Sequence, residues 1–221
     1  MVRFSTEITP SDPQEQSVLL VGQKCYLDFL DNESVKPKIG TRVTEELYEK
    51  ALSLVKGNTE SVPLYLKYAT LARLPNVCSR HNTPSQAHTL AKLVKAHMGG
   101  GRDGFIVVAC DYRDILASAC AIARCFPLYS KKQRDTAFTI TVNFIVMDPC
   151  KVKGRIMEDD IDCLNAAAMG VRLSARIVDM PCSEMHTDAF IQEICKVGDM
   201  LNIKPVIINP FSPNDNLALS F

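Results

Sequence analysis

Runs of apolar residues alternate with helical stripes along the first two thirds of the chain. Short runs rich in strand-forming residues and bounded by turn residues are typical of β-strands. Four such runs lie at 17–21 (SVLLV), 62–71 (VPLYLKYATL), 104–110 (GFIVVAC) and 138–147 (FTITVNFIVM). The last run alternates polar with apolar residues, which predicts one wetter face. That face would carry Thr139, Thr141 and Asn143.

Three segments between these runs have the periodicity of amphipathic helices. A helix over about 45–56 has Thr44 as its cap. A second begins at Thr83 with the capping-box sequence TPSQ and runs to about residue 98. A third covers about 112–126. The stripes predicted for the first and third helices are Leu47, Ala51, Leu54 and Val55, and Ile115, Ala119, Ile122 and Phe126.

The alternation of strands and helices predicts an α/β domain over 17–150, with a mixed sheet covered by helices on both faces. Residues 1–16 are polar and contain two prolines, so we expect a flexible tail there. The polar stretch 31–42 is predicted to be a loop.

A longer helix is predicted to follow this domain. Glu158, Asp159 and Asp160 place negative charge at the positive end of its dipole, and Pro181 stops it. The helix would be about 30 Å long, so we interpret 159–181 as a linker between two domains. Its apolar stripe is Ile161, Leu164, Ala168, Val171, Ala175 and Val178.

A further helix is predicted after a short polar break. Thr187 can cap it, and Asn202 suits a left-handed stop, followed by an apolar contact from Ile203. The sequence PVIINP then favours a short strand. We interpret 187–208 as the start of a truncated second domain and 209–221 as a divergent tail. The stripe of this helix is Phe190, Ile194, Val197 and Leu201.

Composition and charge narrow the classes of function. The 25 basic residues equal the 25 acidic ones, so nothing favours binding to nucleic acid. No run of about 18 apolar residues predicts a membrane span, and no apolar segment at the amino terminus predicts a secretory signal. Nine cysteines, an odd number, are typical of reduced thiols in a cytoplasmic protein.

Several groups resemble metal or catalytic sites, and each has a simpler explanation. Cys78 and His81 have a metal-compatible spacing but no second pair, so we favour a loop without metal. His88 and His97 are nine residues apart on one helix, too far for one ion. The carboxylates at Asp159, Asp160 and Asp162 are explained by the start of the long helix.

Three further motifs are also weak evidence for a functional site. Gly99–Gly104 closes a helix and precedes a strand, the reverse of a phosphate loop, so a flexible connection is favoured. The basic run 131–134 has no interleaved aromatic residues and indicates a solvated turn. Cys182 and His186 are close in sequence, which is poor evidence for a catalytic pair because such pairs assemble across the fold.

The segment 170–208 combines a long helix, a Glu-Met break and a Thr-capped helix in an order that resembles the domain junction of leucyl (cytosol) aminopeptidases. Segments 42–52, 63–75 and 79–88 resemble the probable aminopeptidase-like branch of that family in animals. The resemblance covers about 17–208. The matching junction residues are Ala175, Arg176, Val178, Asp179, Pro181, Glu184, Met185, Thr187 and Phe190.

The resemblance implies a macrodomain-like first domain and a second domain that holds two divalent metals, zinc, manganese or magnesium. The implied reaction removes the amino-terminal residue of a peptide, with metals that activate water and polarise the carbonyl. The family supplies its ligands from a Lys-Gly-x-x-x-Asp-(Ser/Thr)-Gly-Gly segment and an Asn-Thr-Asp-Ala-Glu-Gly-Arg segment. Neither segment occurs in this sequence. We therefore assign no catalytic, cofactor-binding or metal-binding residue to this chain.

The resemblance leads us to expect a truncated aminopeptidase form that is inactive alone. Because the family forms hexamers, we expect it to associate with itself or with full-length subunits, and uncovered helix stripes favour such contacts. Two alternatives stay open. One is a stand-alone macrodomain-like module that binds a nucleotide such as ADP-ribose at its strand ends. The other is a regulator of the full-length enzyme.

Overall fold

The computed structural model describes residues 1–57, 59–78, 83–99, 101–131, 138–147, 154 and 156–208. It divides into two compact units, Met1–Ala175 and Arg176–Phe221. The structure does not test the domain boundaries predicted from the sequence, which stay a prediction.

The first unit contains a six-stranded sheet with the order β1-β6-β5-β2-β4-β3. All neighbouring strands are parallel except β3 and β4, which are antiparallel. This arrangement confirms the predicted mixed sheet. The strands are β1 Val2–Ser5, β2 Ser17–Gln23, β3 Ser61–Tyr65, β4 Ala69–Leu74, β5 Gly104–Asp111 and β6 Ile140–Met147.

Helices cover both faces of this sheet, as predicted. The helices that cover it are α1 Asn32–Ile39, α2 Glu45–Lys56, α3 Ala87–His97, α4 Ile115–Arg124 and α5 Glu158–Asp179. The second unit contains α6 Thr187–Leu201. Short 3₁₀ helices occupy Lys24–Phe29 and Tyr112–Asp114. Because side chains alternate along a strand, Ile106 of β5 packs in one core with α3, α4 and α5. Its neighbour Val107 packs in a second core with α1 and α2.

A buried hydrogen bond anchors α2. The hydroxyl of Tyr48 is wholly enclosed and donates to the carbonyl oxygen of Leu30 at 2.6 Å. We expect Tyr48→Phe to lower the free energy of unfolding by about 1–3 kcal/mol, because the carbonyl would be left unpaired away from water. Urea unfolding followed by circular dichroism measures this loss.

The matched control for this prediction is Tyr112→Phe. The Tyr112 side chain is half-exposed and its hydroxyl donates to Asp160 at 3.0 Å, where water can replace the lost partner. We expect a smaller loss there. Equal losses from the two substitutions would contradict the assignment of Tyr48 as a buried anchor.

The amino terminus differs from the expected flexible tail. Residues Val2–Ser5 form β1, which pairs in parallel with β6, and both Val2 and Phe4 are buried. The Phe4 ring stacks on Phe144 with centroids 6.0 Å apart. The four-residue strand was missed because its hydrogen-bonding partner is distant in sequence and local pattern carries no trace of it.

The stretch 31–42 is not a loop but contains α1. Asp31 caps this helix, since its side chain accepts from the Ser34 N–H at 2.9 Å. Val35 and Ile39 are buried one turn apart. Pro37 within the helix concealed this pattern, because proline normally interrupts helices.

The apolar run 62–71 is two strands rather than one. The chain turns back between β3 and β4, with Leu66 in the left-handed region at φ 47° and Tyr68 N–H bonded to the Tyr65 carbonyl. This turn has none of the glycine, asparagine or aspartate that normally signals a hairpin. The sequence therefore predicted one continuous strand.

Three smaller predictions were also wrong. Thr83 does not begin α3: Gln86 adopts φ 49° before it and donates to the Val77 carbonyl at 3.0 Å. The stripe of α2 was half right: Ala51 and Val55 are buried as predicted, but Tyr48 and Leu52 are buried in place of the exposed Leu47 and Leu54. The expected wetter face of β6 is closed, since Thr141 and Asn143 are both buried.

In the second unit, α6 ends as predicted. Asn202 adopts φ 55°, and the Ile203 N–H bonds to the Gly198 carbonyl at 2.8 Å. The capping position is His186 rather than Thr187. Residues 205–208 have no strand partner within the described part of the chain, so the PVIINP strand is not observed there; its last two residues, and the tail 209–221, lie outside it.

Candidate functional site

The carboxyl ends of β2 and β5 form the topological switch point of the sheet. From β2 the chain continues to β3 and then β4 on one side, and from β5 it continues to β6 on the other. Open α/β sheets place ligands in the crevice at such a point. The strands end there in Gln23 and Asp111, both buried.

Gln23, Asp111 and the side chains that they contact form a polar cluster at this point. Asp111 organises one half of this cluster. Its carboxylate accepts from the Arg113 side chain at 2.9 and 3.0 Å and from the Arg113 backbone N–H at 2.9 Å. The Arg113 guanidinium lowers the pKa of the Asp111 carboxyl. The Tyr26 hydroxyl donates weakly to the same carboxylate at 3.5 Å, and burial raises the Tyr26 pKa. Asp111 is thus an ionised acceptor that orders the start of the helical segment after β5.

Gln23 organises the other half. Its amide nitrogen donates to the Pro84 carbonyl, and its oxygen accepts from the Cys25 thiol at 3.6 Å. The Cys25 N–H bonds to the Asn76 side chain at 3.3 Å. The cluster therefore fastens the loops after β2 and β4. The local sequence pattern did not predict this cluster. The available signal was a polar residue at the end of each of two buried strands.

A cleft of about 510 Å³ lies where α5 begins, lined by Thr6, Glu7, Phe144, Gly154, Ile156, Met157, Glu158 and Asp159. Asp160 stabilises the helix start here, because it accepts from the Met157 N–H at 2.9 Å. Thr6 donates to Glu158 at 3.2 Å. These carboxylates act at the helix amino terminus, as the sequence indicated.

The remaining sequence candidates are scattered. His88 is exposed, whereas His97 is half-buried and burial lowers its pKa. Cys182 and His186 are both exposed in the turn before α6. Within the described part of the chain, no group of three or more His, Cys, Asp or Glu side chains could hold a metal ion. The described residues therefore do not fit the paired metals that the resemblance implied.

Other sequence motifs fall partly outside the described residues. Cys78 is described, but 79–82, including His81, are not; Lys131 is described, but the rest of the basic run is not. Of the glycine-rich connection, Gly101 adopts φ 65°, and Gly100 lies outside the described part. The described cysteines are free of disulfides, and no described helix is long and apolar enough to cross a membrane.

The second unit has an exposed apolar face on α6. Phe190 is 44% exposed and Ile194 is 41% exposed, one turn apart, and Leu201 continues the stripe. On the same helix Glu193 pairs with Arg176 and with Lys196. These ion pairs lower the pKa of Glu193, and the pair with Arg176 connects α6 to the end of α5. The exposed stripe is the feature of this unit that a partner surface would cover.

Residues 16–135 match a family model described as M17 aminopeptidase N-terminal domain 2. The chain belongs to the M17 aminopeptidase family. The human protein named "Probable aminopeptidase NPEPL1" is 44% identical to this M17 chain over 212 residues, which cover 94% of the chain and 40% of the human protein. Leucine aminopeptidase 1 of Caenorhabditis elegans is 28% identical over 196 residues, 87% of the chain and 38% of that protein.

A solved structure supports the same relationship. The structure titled Caenorhabditis elegans leucine aminopeptidase (LAP1) matches with a TM-score of 0.74 at 25% identity, over 91% of this chain and 40% of that one. The expected aminopeptidase family and the α/β fold are confirmed. The M17 chain spans about 40% of the length of these relatives.

Proposed function

We propose that this chain serves as the assembly module of a leucyl-type aminopeptidase and binds to catalytic subunits rather than hydrolysing peptides itself. The observation that carries the proposal is the match of residues 16–135 to an N-terminal domain of the M17 family. The exposed Phe190 and Ile194 on α6 support it, since apolar side chains on one helix face favour a protein partner.

The catalytic chemistry is proposed to reside in the partner subunits. The two metal-binding segments of the family are missing from these 221 residues, and the described carboxylates and histidines do not converge. Divalent metals bound by a partner would activate water there. The described cysteines form no disulfide, which supports a reducing, cytoplasmic setting for this assembly.

We expect the purified chain to show no turnover of a leucyl amide substrate with Mn²⁺ or Zn²⁺. When mixed with a full-length M17 subunit, it is expected to co-elute in size-exclusion chromatography. The full-length subunit alone is the positive control for activity. Activity that persists through stringent purification would contradict the proposal, as would two separate peaks for the mixture. A change in activity of the co-eluting fraction would identify a regulator.

A second candidate function is nucleotide binding at the switch point. The polar ends of β2 and β5, Gln23 and Asp111, favour it because ligands of α/β sheets bind at that place. The buried, ionised Asp111 counts against a phosphate there, because like charges repel. Titration calorimetry with ADP-ribose tests this function separately from assembly. Heat of binding would support it, and no heat up to millimolar ligand would contradict it.

A further inference from the structure

The connection between β1 and β2 crosses one face of the sheet without a helix. We call residues 6–16, which form this connection, the strap. Because β6 and β5 lie between β1 and β2 in the sheet, the strap passes over both strands. Asn143 of β6 holds its beginning by donating to the Glu7 carbonyl at 2.7 Å.

Polar contacts hold the rest of the strap. The Ser11 N–H donates to the Pro37 carbonyl of α1 at 2.9 Å. Asp12 makes a bidentate ion pair with Arg42, and the shortest N–O distance in it is 2.6 Å. Apolar burial in the strap is limited to Pro13 and to the half-buried Ile8, which packs on the second core. Segments with few buried apolar contacts are those that open locally before the rest of a domain.

A wholly buried lysine lies beneath the strap. Lys38 of α1 has no exposed surface, although lysine is almost never enclosed without a counter-ion. Its ammonium nitrogen lies 3.0 Å from the centroid of the Phe105 ring and 3.3 Å from the Thr9 hydroxyl oxygen. The strap, through Thr9, thus forms one wall of the Lys38 site, and β5, through Phe105, forms another.

Among the described residues, no group that faces Lys38 neutralises it. The charged group that acts on it there is Arg3 of β1, which is also a cation. The three strap carboxylates face other groups, since Asp12 pairs with Arg42, Glu15 also acts on Arg42, and Glu7 lines the cleft at α5. Burial, and next the charge of Arg3, lower the pKa of Lys38 to about 7, although the Phe105 ring favours the charged form.

We propose that the strap is a proton-linked latch, which closes over the uncharged amine of Lys38 and opens as that amine takes up a proton. Opening hydrates Lys38 and removes Thr9 from it, so the open strap binds a proton more tightly than the closed one. The latch loosens residues 6–16 and leaves β1 and the two cores of the sheet in place.

The direction of the pH dependence follows from this difference. The pKa of Lys38 is near its ordinary value of 10.5 in the open form and about 7 in the closed form. Closure therefore weakens as the pH falls between these two values. A fall from pH 9 to pH 7 is expected to raise the opening constant about 50-fold. Below about pH 6 both forms are charged, and no further change is expected.

Hydrogen exchange at the Ser11 amide, followed by NMR on the whole chain, tests this latch. After correction for intrinsic exchange, we expect the protection of Ser11 to fall about 50-fold from pH 9 to pH 7. Lys38→Met, which keeps the length of the side chain but removes the titrating group, is expected to abolish this dependence. Lys36→Met, at an exposed position of the same helix, is the matched control and is expected to retain it.

Thr9→Val provides a second variant, should Lys38→Met alter the fold as judged by circular dichroism. It removes the strap's hydroxyl from Lys38 but leaves the amine, so Ser11 protection is expected to fall at every pH with the same slope. The latch is overturned if wild-type Ser11 protection does not change with pH, or if Lys38→Met retains the 50-fold change.

Discussion

Replacing Phe190 with glutamate is expected to weaken binding of this chain to full-length M17 subunits by about 30-fold or more. Phe190 is 44% exposed and shares one face of α6 with Ile194. If a partner covers this face, a buried carboxylate without a counter-ion would cost the complex several times the thermal energy. Co-elution over a range of concentrations measures the loss.

The control for this experiment introduces the same charge on the same helix. Gln192→Glu lies two residues further along α6 at an exposed position, away from the apolar stripe. We expect it to bind like the wild type. If Phe190→Glu also binds like the wild type, the α6 stripe is not the docking surface, even if the chain still assembles through its first unit.

Replacing Ile106 with alanine is expected to have the largest effect on stability. Ile106 is fully buried in β5, in the core shared with α3, α4 and α5. Loss of its side chain would leave a cavity between sheet and helices, at a cost of about 2–5 kcal/mol. Domains are typically stable by only about 5–15 kcal/mol. We therefore expect the melting temperature to fall by roughly 4–20 °C.

Leu116→Ala is the matched control for Ile106→Ala. Leu116 lies on α4, where it is 50% exposed, and its removal leaves no enclosed space. Differential scanning calorimetry measures the melting temperatures of both variants, and a small change is expected for Leu116→Ala. If the two substitutions lower the melting temperature equally, Ile106 does not occupy the packed position described above.

Strong local signals explain what could be read directly from the sequence. The run GFIVVAC predicted β5 because a short, continuously apolar segment is stable only when both of its faces are covered. Thr44 predicted the start of α2, and its side chain does accept from the Leu47 N–H. The long helix α5 was recognised from six apolar positions at helical spacing.

Signals that depend on distant partners were lost. β1 pairs with a strand 138 residues away, as the bond between Arg3 and Thr141 illustrates. The turn at Leu66 has no glycine, and α1 contains Pro37, so packing overrode the local preference at both places. The candidate site at Gln23 and Asp111 likewise exists only because the sheet order brings β2 beside β5.

The sequence by itself determined the strands β2, β5 and β6 with the helices α2, α3 and α4, the long helix at 159–180 and the resemblance to leucyl aminopeptidases. These features depend on residues that are neighbours along the chain. Only the tertiary structure decided that α2 buries Tyr48 and Leu52, and that Lys38, which looks like one of many surface lysines, is enclosed beneath the strap. Burial is a property of what packs on a residue from elsewhere, and no local pattern records it.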